Sequence, residues 1–131
     1  MIALDTNVLL RHLIGDGEEQ AALAHRLIEE ELTTADPGFV SIAVLLETIW
    51  VLRRGYGYSA QQVVGVVRAL LLAPQLVVDQ AAVVDKALKA AGTVDLADAI
   101  IHELGRRAGC RETVTFDRRF AQHAEVRRLG G

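Results

Sequence analysis

Met1-Ile2-Ala3-Leu4-Asp5-Thr6-Asn7 opens the chain with an apolar run that stops at a carboxylate and passes into residues suited to start a helix. A strand that ends where a helix begins is the repeating unit of an α/β domain, and open α/β sheets bind ligands at that edge. The same arrangement returns near the other end of the chain, where Thr113-Val114-Thr115-Phe116 stops at Asp117. Both aspartates are expected where a short buried strand ends.

Outward from the first motif, residues 1–4 read as a strand and Asn7 to Leu13 as a helix ended near Gly15-Asp16-Gly17. A helix from about Glu18 to Leu32 follows, then a break over Thr33 to Pro37 and a second strand over Gly38-Phe39-Val40. Ser41 is suited to cap a helix continuing to about Arg54, and Ser59, after Gly55-Tyr56-Gly57-Tyr58, to cap another through Leu72. Beyond Pro74, Leu76-Val77-Val78 is a third strand ending at Asp79, and Ala81 to Ala91 a helix. Gly92-Thr93 breaks the chain before a helix from Asp95 to Ala108; Thr113 to Phe116 is the fourth strand and Val126 to Leu129 a marginal fifth. Alternating short apolar strands and longer helices predict a three-layer α/β/α sandwich with a short, mostly parallel sheet of four to five strands.

The 131 residues fit a single domain, and 51% hydrophobic with 24% charged residues excludes a disordered chain. Cys110 is the lone cysteine, so no disulfide framework is available, which points to a reducing compartment. No apolar run approaches the ~20 residues that span a bilayer, and the start lacks a basic leader. The expectation is a cytoplasmic protein without a membrane segment. The helices starting near Ser41 and Ser59 carry Leu45, Ile49, Leu52, Val63, Val66, Val67, Leu70 and Leu71. That apolar surface suits either core packing or a protein partner such as a second copy.

Charge is unevenly spread. Residues 1–104 carry seven Lys/Arg against fourteen Asp/Glu, whereas residues 105–131 carry seven arginines against three acids. Arg106, Arg107, Arg111, Arg118, Arg119, Arg127 and Arg128 form this excess. A local arginine cluster can hold a phosphate backbone, and cations are equally at home at helix C-termini.

Asp5, Glu47, Asp98 and Asp117 are each locally out of place, because a buried carboxylate without a partner is costly. Asp5 and Asp117 could cap the segments that follow them, and Asp95 with Asp98 could serve the start of a helix, where negative charge is favoured. Residues three apart share a helix face, so Asp95 and Asp98 can also converge on one site. Glu47 has Ala43, Val44, Trp50 and Val51 as its helical neighbours and is expected to look inward. Gathered carboxylates repel one another unless a cation compensates, and oxygen-only ligands suit Mg²⁺ or Mn²⁺. His12, His25, His102 and His123 are isolated in sequence, and no Cys or His spacing supports zinc. A carboxylate-held Mg²⁺ at a sheet edge is suited to hydrolysing phosphodiesters.

The ordered set Ile2-Ala3-Leu4-Asp5-Thr6-Asn7, Glu47, Val94-Asp95-Leu96-Ala97-Asp98-Ala99 and Val114-Thr115-Phe116-Asp117-Arg118-Arg119-Phe120 resembles the PIN-domain ribonucleases, more narrowly the VapC-type toxins of toxin–antitoxin pairs. The resemblance covers essentially the whole chain. It implies that Asp5, Glu47, Asp98 and Asp117 bind Mg²⁺ or Mn²⁺ and carry catalysis, with Asp95 nearby and Thr6, Asn7 and Thr115 in supporting hydrogen bonds. It further implies a single-stranded RNA substrate, a homodimer, and inhibition by a small cognate VapB-like antitoxin. Arg119 stands where such proteins often have a second acid, which leaves one metal or two open. On this reading Arg118, Arg119, Arg127 and Arg128 are candidates to contact RNA phosphate. The competing reading is a PIN-like module that binds RNA or protein without cutting.

Overall fold

A computed structural model of the protein describes residues 1–15, 18–92 and 94–130; Asp16, Gly17 and Thr93, expected in turns, and the terminal Gly131 lie outside the described residues. The element order is β1 (Ile2–Ala3), α1 (Thr6–Ile14), α2 (Glu19–Arg26), a π-helical turn (Leu27–Glu31), β2 (Gly38–Val40), α3 (Ile42–Gly55), α4 (Ala60–Leu72), β3 (Leu76–Val78), α5 (Ala81–Ala90), α6 (Leu96–Arg107), β4 (Thr113–Thr115), a 3-10 turn (Phe120–Gln122) and β5 (Val126–Arg128). This is the three-layer α/β/α fold expected, and every strand pairing among the described residues is parallel.

The strands form two ladders: β1-β2-β3 in one and β4-β5 in the other. β2 is central, with Gly38 opposite both Ile2 and Leu76. A Cβ on Gly38 would stand 3.1 Å from methyl carbons of Leu4 and Leu76 and closer still to Leu32, so a larger residue there would have to displace these leucine side chains. Burial corrects the expectation that the first and fourth strands are buried. Gly38 and Val40 in β2 and Leu76 and Val78 in β3 are buried, but Ile2 and Ala3 in the edge strand β1 are exposed, as is Val114 in β4. Only Leu4, one residue past β1, enters the core.

Local chemistry explains the helix starts. Ser41 Oγ accepts the Val44 N–H, and Ser59 forms a full capping box with Gln62. Gly15 closes α1 in a left-handed conformation, with its N–H donating to the Arg11 carbonyl. The single helix expected over residues 18–32 is an α-helix that widens into a π-turn, with Ile28 buried within it. Asp79, at the end of β3, accepts the Ile42 N–H at 3.4 Å and ties that strand end to the start of α3.

α1 packs against α2 and α5 against α6, while α3 touches α1, α4 and α6. Leu45, Ile49, Leu52, Val63, Val67 and Leu70 are buried in the shared core, and Val66 and Leu71 pack half-buried against it. Core packing therefore accounts for these eight residues, whereas Trp50 of α3 and Leu72 of α4 stay exposed. The histidines are paired rather than isolated: His12 stacks on His25 with ring centroids 5.7 Å apart, and His102 meets His123 edge-on at 5.1 Å. Among the described residues, no helix is long and apolar enough to cross a membrane.

Candidate functional site

Asp95, Asp98 and Asp117 line one cleft of about 520 Å³, bordered on its other side by Trp50, Arg53 and Arg54 of α3. α6 supplies the first two acids. Asp95 occupies the N-cap position, but its side chain makes no capping hydrogen bond. Its carboxylate instead faces Arg53 at 3.6 Å. Asp98, in the first turn of α6, is half-buried, and its carboxyl is pushed above the usual range first by burial and then by the charges of Asp95 and Asp117. The ionised form of Asp98 is thus held against both desolvation and like charge.

Asp117 reaches the cleft from the end of β4. Its Oδ1 accepts the backbone N–H groups of Arg119 at 2.8 Å and Phe120 at 3.1 Å, while its own N–H donates to Thr115 Oγ1 at 3.0 Å. Asp5 plays the equivalent part at the end of β1: its Oδ1 accepts the Thr6 N–H at 2.9 Å and starts α1. Capping and ligand binding are compatible at both positions, because each cap uses one carboxylate oxygen, Oδ1, and leaves Oδ2 outside it.

The expected set is only partly assembled. Asp5 and Glu47 do not line the cleft that Asp95, Asp98 and Asp117 share. Glu47 is exposed rather than inward-facing. The reason lies in the helix period: α3 buries Leu45, Thr48, Ile49 and Leu52, and Glu47 falls on the opposite side, where its apolar neighbours Ala43 and Trp50 are exposed as well. Thr6 is buried next to Asp5, whereas Asn7 lines a different cleft with Val8, Arg11, Leu23 and Leu27 between α1 and α2. Among the described residues, no three Asp, Glu, His or Cys side chains converge as metal ligands. The chemistry of the cleft still fits a hard cation: its acids offer only oxygen, and the charged form of Asp98 is disfavoured by burial and then by its acidic neighbours, a combination that a cation relieves.

Most of the C-terminal arginines are engaged elsewhere. Arg106 and Arg107 both bind Glu103, at 2.8 and 3.1 Å, which is the helix-end role. Arg127 pairs with Glu112 at 2.9 Å, and Arg128 donates to the Phe116 carbonyl at 3.3 Å. Arg118 and Arg119 are exposed beside Asp117, outside the cleft lining. The cations that do border the acids, Arg53 and Arg54, were not picked out by the sequence reading. Their signal was faint but present: Glu47, Trp50 and Arg54 lie three and then four residues apart, on one helix face.

A protein-family model described as PIN domain matches residues 2–126, nearly the whole chain. A search among curated proteins returns no match.

Proposed function

This chain belongs to the PIN-domain family, and from that membership we propose that it is a Mg²⁺- or Mn²⁺-dependent endoribonuclease acting as the VapC-type toxin of a toxin–antitoxin pair. PIN domains are nuclease-type domains, so a general ribonuclease role follows from the family alone. One observation carries the metal-dependent reading: three aspartates from two separate elements share one arginine-bordered cleft, and the charged form of Asp98 is disfavoured first by burial and then by the other two.

In this proposal Asp98 and Asp117 hold the metal, with Asp5 and Glu47 completing the set. Bound there, the ion would activate a water and stabilise charge on the attacked phosphate. The protein's own part is orientation. Backbone N–H groups of residues 119 and 120 fix the Asp117 carboxylate, Arg53 fixes Asp95, and Thr115 fixes the backbone at Asp117. Thr6 and Asn7 take supporting roles beside Asp5, and Arg118, Arg119, Arg127 and Arg128 serve as secondary phosphate contacts. A small VapB-like antitoxin would inhibit by laying its tail across the acidic cleft of Asp95, Asp98 and Asp117. A homodimer, implied by the ordered motifs, and a cytoplasmic location, expected from the lone cysteine, complete the proposal.

A second reading, a PIN-like module that binds RNA or protein without cutting it, draws on the lack of converged ligands among the described residues. Incubating the purified, partner-free protein with end-labelled RNA separates the two. Cleavage that needs Mg²⁺ or Mn²⁺, stops in EDTA and disappears in Asp98→Asn supports the nuclease. RNA binding without cleavage under every metal condition rejects it in favour of the binding module.

A further inference from the structure

Trp50 is the only tryptophan of the chain, and it sits 59% exposed on a helix whose other large apolar side chains turn toward the core. An indole left in water forgoes the burial that normally stabilises it. Its position is not arbitrary: Trp50 lines the same cleft as Asp98 and Asp117. Four residues on, the Arg54 guanidinium lies 5.9 Å from the ring centroid, a cation–π contact that orients the indole and places a positive charge beside it. Arg53 secures the rim. Its guanidinium faces Asp95 at 3.6 Å and donates to the Tyr58 carbonyl at 3.0 Å, joining α3, the turn before α4 and the start of α6.

We propose that Trp50 and Arg54 form a nucleotide subsite of the cleft, in which one unpaired base of a single-stranded RNA stacks on the indole and an adjacent phosphate meets the Arg54 guanidinium. The proposal rests on the nuclease reading and deepens it, by assigning the side of the cleft that faces the acids. Charge supports this occupant. The acids can hold the scissile phosphate only through a cation, whereas Arg54 can hold the neighbouring one directly. Stacking supports it as well, because any base has a π-face to offer and the subsite would be tolerant of sequence. A paired base has both faces covered within its helix, so the indole selects single strands or a nucleotide already swung out of a stack.

The lone tryptophan makes the subsite directly observable. Wild-type protein is titrated with a short single-stranded RNA in EDTA and again with Ca²⁺, following indole fluorescence. Parallel anisotropy titrations with labelled RNA compare Trp50→Ala, Trp50→Phe and Arg54→Gln, each checked for native circular dichroism. The expected result is saturable quenching by the single strand and none by a blunt duplex of the same sequence. Trp50→Ala should bind about 5- to 150-fold more weakly, Trp50→Phe should recover most of the loss, and Arg54→Gln should reduce the salt slope by about one. Unchanged affinity in Trp50→Ala, or equal quenching by the duplex, overturns the subsite. The nuclease reading survives that outcome if the same preparation still cuts RNA in a metal- and Asp98-dependent way. A fluorescence change that follows protein concentration without RNA places a second copy on Trp50 and also overturns the subsite. Failure to bind any RNA removes both.

Discussion

His102 Nδ1 and Thr113 Oγ1 lie 2.7 Å apart, and this single hydrogen bond joins the helix that carries Asp98 to the strand that leads to Asp117. His102 follows Asp98 by four residues, on the same face of α6, and is only 6% exposed. The edge of His123 meets the imidazole from the segment just before β5. A contact outside the cleft thus helps hold the elements that carry two of its acids together.

Replacing Thr113 by Val removes the hydroxyl at similar volume and leaves a buried imidazole nitrogen unpaired. The expected cost is about 1–3 kcal/mol in urea unfolding, with Thr113→Ser retaining most of the stability. If the domain is the proposed nuclease, Thr113→Val should also lose RNA cleavage beyond what partial unfolding accounts for.

Acid should destabilise the protein through Glu103 at low pH. The Arg106 hydrogen bond, opposed by burial and assisted by the Arg107 hydrogen bond, lowers its carboxyl from the ordinary 4.5 to about 2. The folded state thus prefers the ionised form, so this contribution is complete above about 4.5 and is lost as pH falls toward 2. Unfolding titrations of wild type and Glu103→Gln should differ by a slope approaching about 1.4 kcal/mol per pH unit in that window, with the wild type the steeper.

His102 acts at higher pH. Burial and then the neighbouring His123 lower its imidazole below the ordinary 6.5, with Glu125 and Glu103 pulling the other way. The fold favours the neutral ring, so stability from this source is present above 6.5 and falls as pH drops below it. His102→Gln should flatten that part of the pH profile, as read by thermal unfolding in steps between neutral and mildly acidic buffer.

Asp98→Asn should raise the stability of the metal-free protein. The substitution keeps the volume and removes a charge that burial, Asp95 and Asp117 all disfavour. The expected gain is about 0.5–2 kcal/mol at neutral pH, the size of common stabilising substitutions. Thermal unfolding with and without Mg²⁺ supplies the second half of the expectation: stabilisation by the ion in wild type, and its absence in the variant.

Ser59→Ala should cost about 1 kcal/mol, because the capping box uses both the serine hydroxyl and the Gln62 side chain to satisfy backbone N–H groups at the start of α4. Ser59→Asp should largely preserve stability, since a carboxylate caps equally well. Urea unfolding of the pair checks both halves.

What the sequence revealed most faithfully was local. Ser41 and Ser59 cap the helices they were expected to cap, and β2 and β3 occupy the expected residues, because caps and short apolar runs depend on neighbours along the chain. The aspartates at strand ends were equally legible, since Asp5 and Asp117 each start the next helical segment. Glu47 was misread because its apolar neighbours were taken as core, and only the phase of α3 against the rest of the fold exposes them. Trp50, Arg53 and Arg54 went unnoticed because α3 must meet α6 before they border the acids. The pairing of His102 with His123 likewise depends on the packing of residues distant in sequence.

β4 hydrogen-bonds only to β5 within its ladder, apart from the three strands of the main sheet, and Arg127, Arg128 and Leu129 add contacts that stay inside this C-terminal segment. Asp117 is thereby mounted on a ladder of its own, tied to the rest of the domain by the His102–Thr113 hydrogen bond and by Phe120 and Val126 in the shared core. A ligand bridging Asp98 and Asp117 would add one more tie across that junction and protect the amides of residues 113–128 by mass action.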